Sequence, residues 1–355
     1  FLRVSSGYQG AKFISLIRGI VGIFFFGVQT YFISKSIGYL IRISLFQIDS
    51  EILNNDIFFN YFMTMNLIDW ISFIFTILIQ YFLFSRGQKF IRNFINFSAL
   101  FVYSGLLLFF VVLIADPELF VMDSFKSKIN LENGFTNFQL KNMIGITGTL
   151  FAYFSILIMN FGDYSRYVKS SQELLKGNLS LLVSMIIYSF LLLVIVTGTD
   201  IFFKSSLIST QNLLTNPTDI IGKINNTYIT VTVLIFIFFA SSSTNLIANY
   251  LPSQNILLNL LPNNLSLKSS GFLITSFGFL VGILWTPFFS QNGSMSIIDT
   301  LSAFFGPIFG VMIFDYYVVK NKVVMNKDLF SARNDSAYLY SAGWHIKAYY
   351  SFIIG

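Results

Sequence analysis

Between Ala240 and Asn249 the chain places four hydroxyls (Ser241, Ser242, Ser243, Thr244) and two amides (Asn245, Asn249) at the end of an apolar run beginning near Tyr228. A polar group in hydrocarbon costs several kcal/mol unless something pairs with it, so this cluster is expected to face a protein-lined cavity. Ser243 and Thr244 are adjacent, and Ala240 lies one helical turn before Ser243 on the same face. Two hydroxyl oxygens and a backbone carbonyl make half of a hard cation's oxygen shell; a sodium ion would need further oxygens from another helix. The same spacing also suits hydroxyls that bond back to the carbonyl four residues earlier and help helices pack.

Three other places break the apolar pattern. In Phe25-Phe26-Gly27-Val28-Gln29-Thr30, Gln29 follows Phe25 by one turn, so a ring and an amide share one side of a helix. An amide offers donors and an acceptor, which suits a planar heterocycle with alternating N–H and C=O edges; a glutamine joining two helices has the same pattern. From Gly145 through Phe154 to Asn160-Phe161-Gly162-Asp163-Tyr164-Ser165-Arg166, small and polar residues invite a broken helix, the device by which transporters expose backbone polar groups. Asp163 is there either a coupling-ion or gate residue, or an interfacial carboxylate paired with Arg166 three residues on. In Phe304-Phe305-Gly306-Pro307-Ile308-Phe309-Gly310 the Gly-Pro pair predicts a kink. Asp315-Tyr316-Tyr317 with Lys320, and Trp285-Thr286-Pro287, read as an aromatic belt with interfacial charge.

Long apolar helices must carry these residues. Of 355 residues 55% are hydrophobic and only 11% charged, against about 25% charged in a soluble chain, and the mean hydropathy is +0.70. The chain therefore reads as an all-α integral membrane protein, multi-pass in the lipid bilayer. Its charge of +6 is what basic cytoplasmic loops give, and no nucleic-acid partner is implied. Cysteine is absent and His345 is the single histidine, so neither thiolate chemistry nor a His-rich metal site is expected, and a membrane enzyme is the weaker reading. No repeated filter motif supports a channel. About 20 apolar residues cross the hydrocarbon core. Runs of that kind fall near 14–34, 66–85, 93–115, 143–161, 179–203, 228–250, 270–290 and 296–319, with another starting at 346. Alternating the loops between them splits the 22 Lys and Arg 15 to 7, which puts Phe1 in the cytoplasm of a cell-membrane protein. The connectors 36–65, 116–142 and 204–227 then lie outside. The chain opens without an initiator Met and closes inside an apolar run, so residues 1–355 are expected to be one transmembrane transport domain cut from a longer protein.

Four ordered segments resemble the nucleobase:cation symporter-1 family, which includes allantoin, uracil and hydantoin permeases. Arg18-Gly19-Ile20 with Phe25–Thr30 is similar to the third span of that family, and Asn160–Tyr167 to its sixth. Ser243-Thr244-Asn245 with Ala248-Asn249 is similar to the eighth, and Gly306–Met312 with Asp315-Tyr316-Tyr317 to the tenth. The resemblance implies a five-plus-five inverted-repeat (LeuT-like) core, incomplete here because the first two spans and the last lie outside the chain. It implies a secondary active symporter, not an enzyme. Na⁺ (or H⁺) would be the coupling ion, with the Ala240 carbonyl, Ser243 and Thr244 as part of a sodium site. It implies that Gln29 and Asn249 bond a small heterocyclic substrate while Phe25 and Phe154 stack on its ring, and leaves Asn160 and Asp163 as gate or structural residues. Several relatives carry Trp where Phe25 stands, and hydantoin carriers also where Phe154 stands. The smaller Phe faces favour uracil, allantoin or another small ring over aryl-hydantoins. An amino-acid or other organic-solute symporter of the same fold is the alternative, and a monomer is expected.

Overall fold

The computed structural model describes residues 2–115, 137–166, 168–205, 227–292, 294–329, 331 and 336–355. Tyr167 and most of the expected outer connectors 116–142 and 204–227 lie outside the described residues. The helices, in chain order, are α1 (Leu2–Ser6), α2 (Tyr8–Ile48), α3 (Leu67–Phe84), α4 (Gln88–Ala115), α5 (Asn137–Ile158), α6 (Phe161–Ser165) and α7 (Ser171–Ser205). They continue with α8 (Thr227–Asn245), α9 (Leu251–Leu260), α10 (Leu267–Leu284), α11 (Ser294–Phe314), α12 (Asn326–Leu329) and α13 (Ile346–Ile354). Wide π-helical turns at Leu246–Tyr250, Trp285–Phe289 and Asp315–Val319 follow α8, α10 and α11. Among the described residues six helices are long and apolar enough to cross a membrane.

The chain divides into two compact units, one of Phe1–Phe26, Asn137–Tyr167 and Ile247–Gly355, the other of Gly27–Thr136 and Val168–Leu246. In the first, α11 packs along α5. Its core is Ile14, Val21, Met159, Phe305 and Ile308, with Phe25 half-buried against them. Gly7 (φ +82°) separates α1 from α2, and a Cβ there would sit 2.5 Å from the Gly343 carbonyl oxygen. That oxygen accepts from the Gln9 N–H at 2.8 Å, so the approach of the two segments requires glycine. Asp315, read from sequence as an interfacial charge, is instead buried. Its carboxylate pairs with Lys320 at 2.5 Å, and the ammonium also donates to the Val4 carbonyl and the Tyr340 hydroxyl. His345 stacks on Tyr340 at 4.1 Å, its Nδ1 lying 2.7 Å from the Ser5 carbonyl. Trp285 likewise leaves the expected belt: it is buried, against Phe24 and Phe289. A position at the end of an apolar run fixes depth, not direction, and both residues turn inward.

In the second unit α4, α7 and α8 pack around Phe109, Val194, Ile195, Val233 and Leu234. Phe236 lies over Gly105, where a Cβ would meet its ring at 2.4 Å. Asn66 and Asp69 form a reciprocal cap at the start of α3, and Arg42 of α2 pairs with Asp69 at 2.7 Å. Where the sequence predicts a connector at 36–65, α2 stays helical to Ile48, 41 residues in all, and Arg42 lies within that extension. At about 1.5 Å per residue it is roughly 60 Å long, about twice a hydrocarbon core. The outward faces of α4 and α7 are apolar, with Leu100, Leu107, Leu181, Leu182 and Ile186 all exposed, the pattern of a surface solvated by lipid.

Candidate functional site

The polar end of the 228–250 run is a wide π-helical turn within the continuous helical stretch Thr227–Leu260. Within α8 the Ser243 and Thr244 hydroxyls donate to the Ala240 carbonyl at 2.9 and 3.0 Å. All three oxygens therefore converge, and each hydroxyl keeps lone pairs that a cation could use once its hydrogen turned away. Thr244 is exposed, whereas Ser242 and Asn245 are buried. Asn245 donates to Thr30 at 3.1 Å, and Thr30 donates to Gln80 at 2.8 Å, so this amide is taken up in fastening α8 to α2 and α3. Gln29, half-buried on α2, donates one amide hydrogen to the Ser241 carbonyl at 3.2 Å. The helix-joining bond that its sequence setting allowed is thus present. Ala240, Ser243, Thr244 and Gln29 all belong to the second unit.

Phe25, Phe154, Asn160, Asp163 and Asn249 belong to the first unit. Asn249 is buried in the wide turn Leu246–Tyr250. Pro252, just inside α9, explains that turn. A residue at 252 would donate its N–H to Ala248 in an α-helix or to Ile247 in a π-helix, and proline has none. Both carbonyls find side-chain donors instead. The Tyr164 hydroxyl donates to Ile247 at 2.8 Å, and Arg18 Nη2 donates to Ala248 at 3.0 Å. Arg18 is 1% exposed, so a residue counted from sequence among cytoplasmic charges is an interior strut. On the far side of the turn the Ser253 hydroxyl donates to the Gly19 carbonyl at 3.2 Å. Tyr250 is buried against Phe26, its hydroxyl accepting from Gln254.

The chain breaks between α5 and α6, at Met159-Asn160. Asn160 is buried, its carbonyl accepts from the Asp163 N–H at 2.8 Å, and its amide nitrogen has no partner among the described residues. Burial raises the Asp163 carboxyl above its ordinary 3.8, opposed by Arg166, by a hydrogen bond with Asn255 and by Arg18. Burial pushes the neighbouring Tyr164 phenol up to about 12, which keeps it a neutral donor. Phe25 meets Phe24 edge-on at 5.7 Å and packs on the core that contains Met159; Phe154 is half-buried on α5. Sequence reasoning missed Pro252, Tyr164 and the inward role of Arg18. A proline four and five residues after two carbonyls in an apolar run is the signal that could have found the first.

Long apolar helices, one with a polar π-helical turn and one interrupted at a polar residue, with buried polar side chains at each, define an all-helical membrane transporter. The chain belongs to the family of permeases for cytosine/purines, uracil, thiamine and allantoin, whose sequence model matches residues 1–355. It is 26% identical over 366 residues to the purine-uracil permease NCS1 of Arabidopsis thaliana, covering 99% of this chain and 56% of that protein. It is 23% identical to the allantoin permease of Bacillus subtilis (strain 168), covering 100% of this chain and 69% of that one. In fold it is similar to Mhp1, a nucleobase-cation-symport-1 family transporter solved in a closed conformation with bromovinylhydantoin bound. The TM-score is 0.65 and the identity 19%, over 97% of this chain and 69% of the other. The fold is therefore the five-plus-five inverted-repeat transporter core, present over part of its length, in a multi-pass membrane protein that is not an enzyme.

Proposed function

We propose that this chain is the transport domain of a secondary active symporter that imports a small heterocyclic, nucleobase-like substrate, uracil or allantoin among the candidates, by alternating access. The family match across residues 1–355 carries this reading. The π-helical turn Leu246–Tyr250 and the interruption at Met159-Asn160 support it, since each places an asparagine amide within otherwise apolar helices. Asn249 and Gln29 supply the hydrogen bonds to the substrate's amide edges, and Phe25 and Phe154 the stacking faces. The Ala240 carbonyl, Ser243 and Thr244 contribute to a sodium site completed by oxygens from elsewhere in the protein. Phe1 faces the cytoplasm: setting buried Arg18 aside leaves 14 cationic side chains on the loops of its side against 7 on the alternate loops. The protein acts as a monomer in the cell membrane.

A second reading rests on Asp163. A half-buried carboxyl with a raised pKa beside Arg18 and Arg166 suits a proton-coupled cycle. Uptake of radiolabelled uracil, allantoin, cytosine and hydantoin by cells expressing the native protein separates the two, since Na⁺ dependence favours Ser243 and Thr244 and pH dependence without Na⁺ favours Asp163. Gln29→Ala, Asn249→Ala and Phe154→Ala should each raise the KM of the transported ring. Unchanged uptake of every heterocycle in all three variants contradicts the binding assignment.

A further inference from the structure

We propose that Arg18 and Tyr164 are positioning residues for substrate binding, holding open the turn Leu246–Tyr250 that presents Asn249. This deepens the reading above and rests on Asn249 touching the substrate. Pro252 has no N–H to give, which leaves the Ala248 carbonyl without its donor in an α-helical register and the Ile247 carbonyl without its donor in a π-helical one. Tyr164 on α6 donates to the first at 2.8 Å, and Arg18 on α2 donates to the second at 3.0 Å. Asn249 is the next residue. With both preceding carbonyls pinned, and Ser253 bonded to Gly19 beyond it, the backbone around Asn249 is fixed on two sides to other segments of the same unit. The close approach leaves no slack: a Cβ on Gly22 would sit 3.3 Å from the Asn249 carbonyl oxygen and 2.8 Å from Arg18 Nη1. A carbonyl shielded from water and stripped of its donor, part-buried at Ile247 and buried at Ala248, seeks another, and the nearest alternative is to rewind the turn and rotate Asn249.

A double-mutant cycle in the native protein tests this, with KM for radiolabelled uracil and allantoin measured by initial-rate uptake normalised to protein in the membrane. Tyr164→Phe removes one oxygen and little volume. It should raise KM about tenfold, equivalent to about 1.4 kcal/mol, at near-constant maximal rate. Combined with Asn249→Ala it should add less than about twofold, because the penalty acts through a side chain no longer there. Arg18→Lys, which keeps the charge but loses the guanidinium fork, should behave in the same way. Pro252→Ala restores an N–H that in this register faces the Ile247 carbonyl, and in that background the Tyr164→Phe penalty should shrink below about twofold. Full additivity with Asn249→Ala, or an undiminished penalty in Pro252→Ala, overturns the positioning role while leaving Asn249 as a substrate contact. An Asn249→Ala protein with unchanged KM overturns the substrate role itself, and the positioning role with it.

Discussion

Gly22→Ala puts one methyl group into the tightest contact around the 246–250 turn. The new Cβ would lie 2.2 Å from Ser253 Oγ, 2.8 Å from Arg18 Nη1 and 3.3 Å from the Asn249 carbonyl oxygen. In a helix interior the exchange is favoured by about 1 kcal/mol through backbone entropy. Overpacking costs about 1–3 kcal/mol, and here relief requires Ser253 to leave the Gly19 carbonyl or Arg18 to withdraw from Ala248. Losing one such bond to a buried carbonyl adds about 1–3 kcal/mol. The net destabilisation is therefore about 1–5 kcal/mol, concentrated at Asn249. Uptake kinetics and thermal denaturation in detergent read it out. The variant should show a raised KM and a lowered midpoint, and Ser253→Ala added to it should recover part of both, since it removes the oxygen at 2.2 Å. A Gly22→Ala protein with native KM and a higher midpoint, as propensity alone gives, refutes the reasoning.

Two further perturbations follow from the buried charges. Lys320→Met leaves Asp315, only 6% exposed at its side chain, without its cation and should cost about 3–5 kcal/mol in thermal or denaturant unfolding. Adding Asp315→Asn should recover most of the loss, and equal stability of Lys320→Met and the native protein would contradict the pairing. For Asp163 the folded pKa lies above the ordinary 3.8, so between those values the native protein holds a proton that the unfolded chain has released. Stability therefore falls as pH rises through that window, and the cost of burying the charge is fully present above it. Asp163→Asn should have the higher midpoint at neutral pH, with the gap closing as pH falls through the window; parallel profiles would refute the burial argument.

The elements are legible in the sequence wherever apolar runs are long, because no other chain composition survives in hydrocarbon. Their ends are less so: α2 continues past its apolar run to Ile48, and the Arg42 in that extension pairs with Asp69 across 27 residues, a partner no local window contains. The cluster at Ala240–Asn249 stands out because its atoms violate the hydropathy around them. What shapes it does not stand out, since Arg18 looks like any loop cation, Tyr164 like any interfacial phenol, and Pro252 falls just beyond the run. Asp315 and Trp285 sit at depths where belts form, and only packing reveals that they point inward.

Solute accumulation against a gradient tests cation-coupled heterocycle transport most directly. The native protein, reconstituted into proteoliposomes at equal pH on both sides, should concentrate at least one of uracil, allantoin, cytosine and hydantoin when Na⁺ is supplied outside, and Ser243→Ala should abolish the Na⁺ dependence. Failure to accumulate any of these rings under either a Na⁺ or a proton gradient, by protein that is folded and correctly inserted, would contradict it.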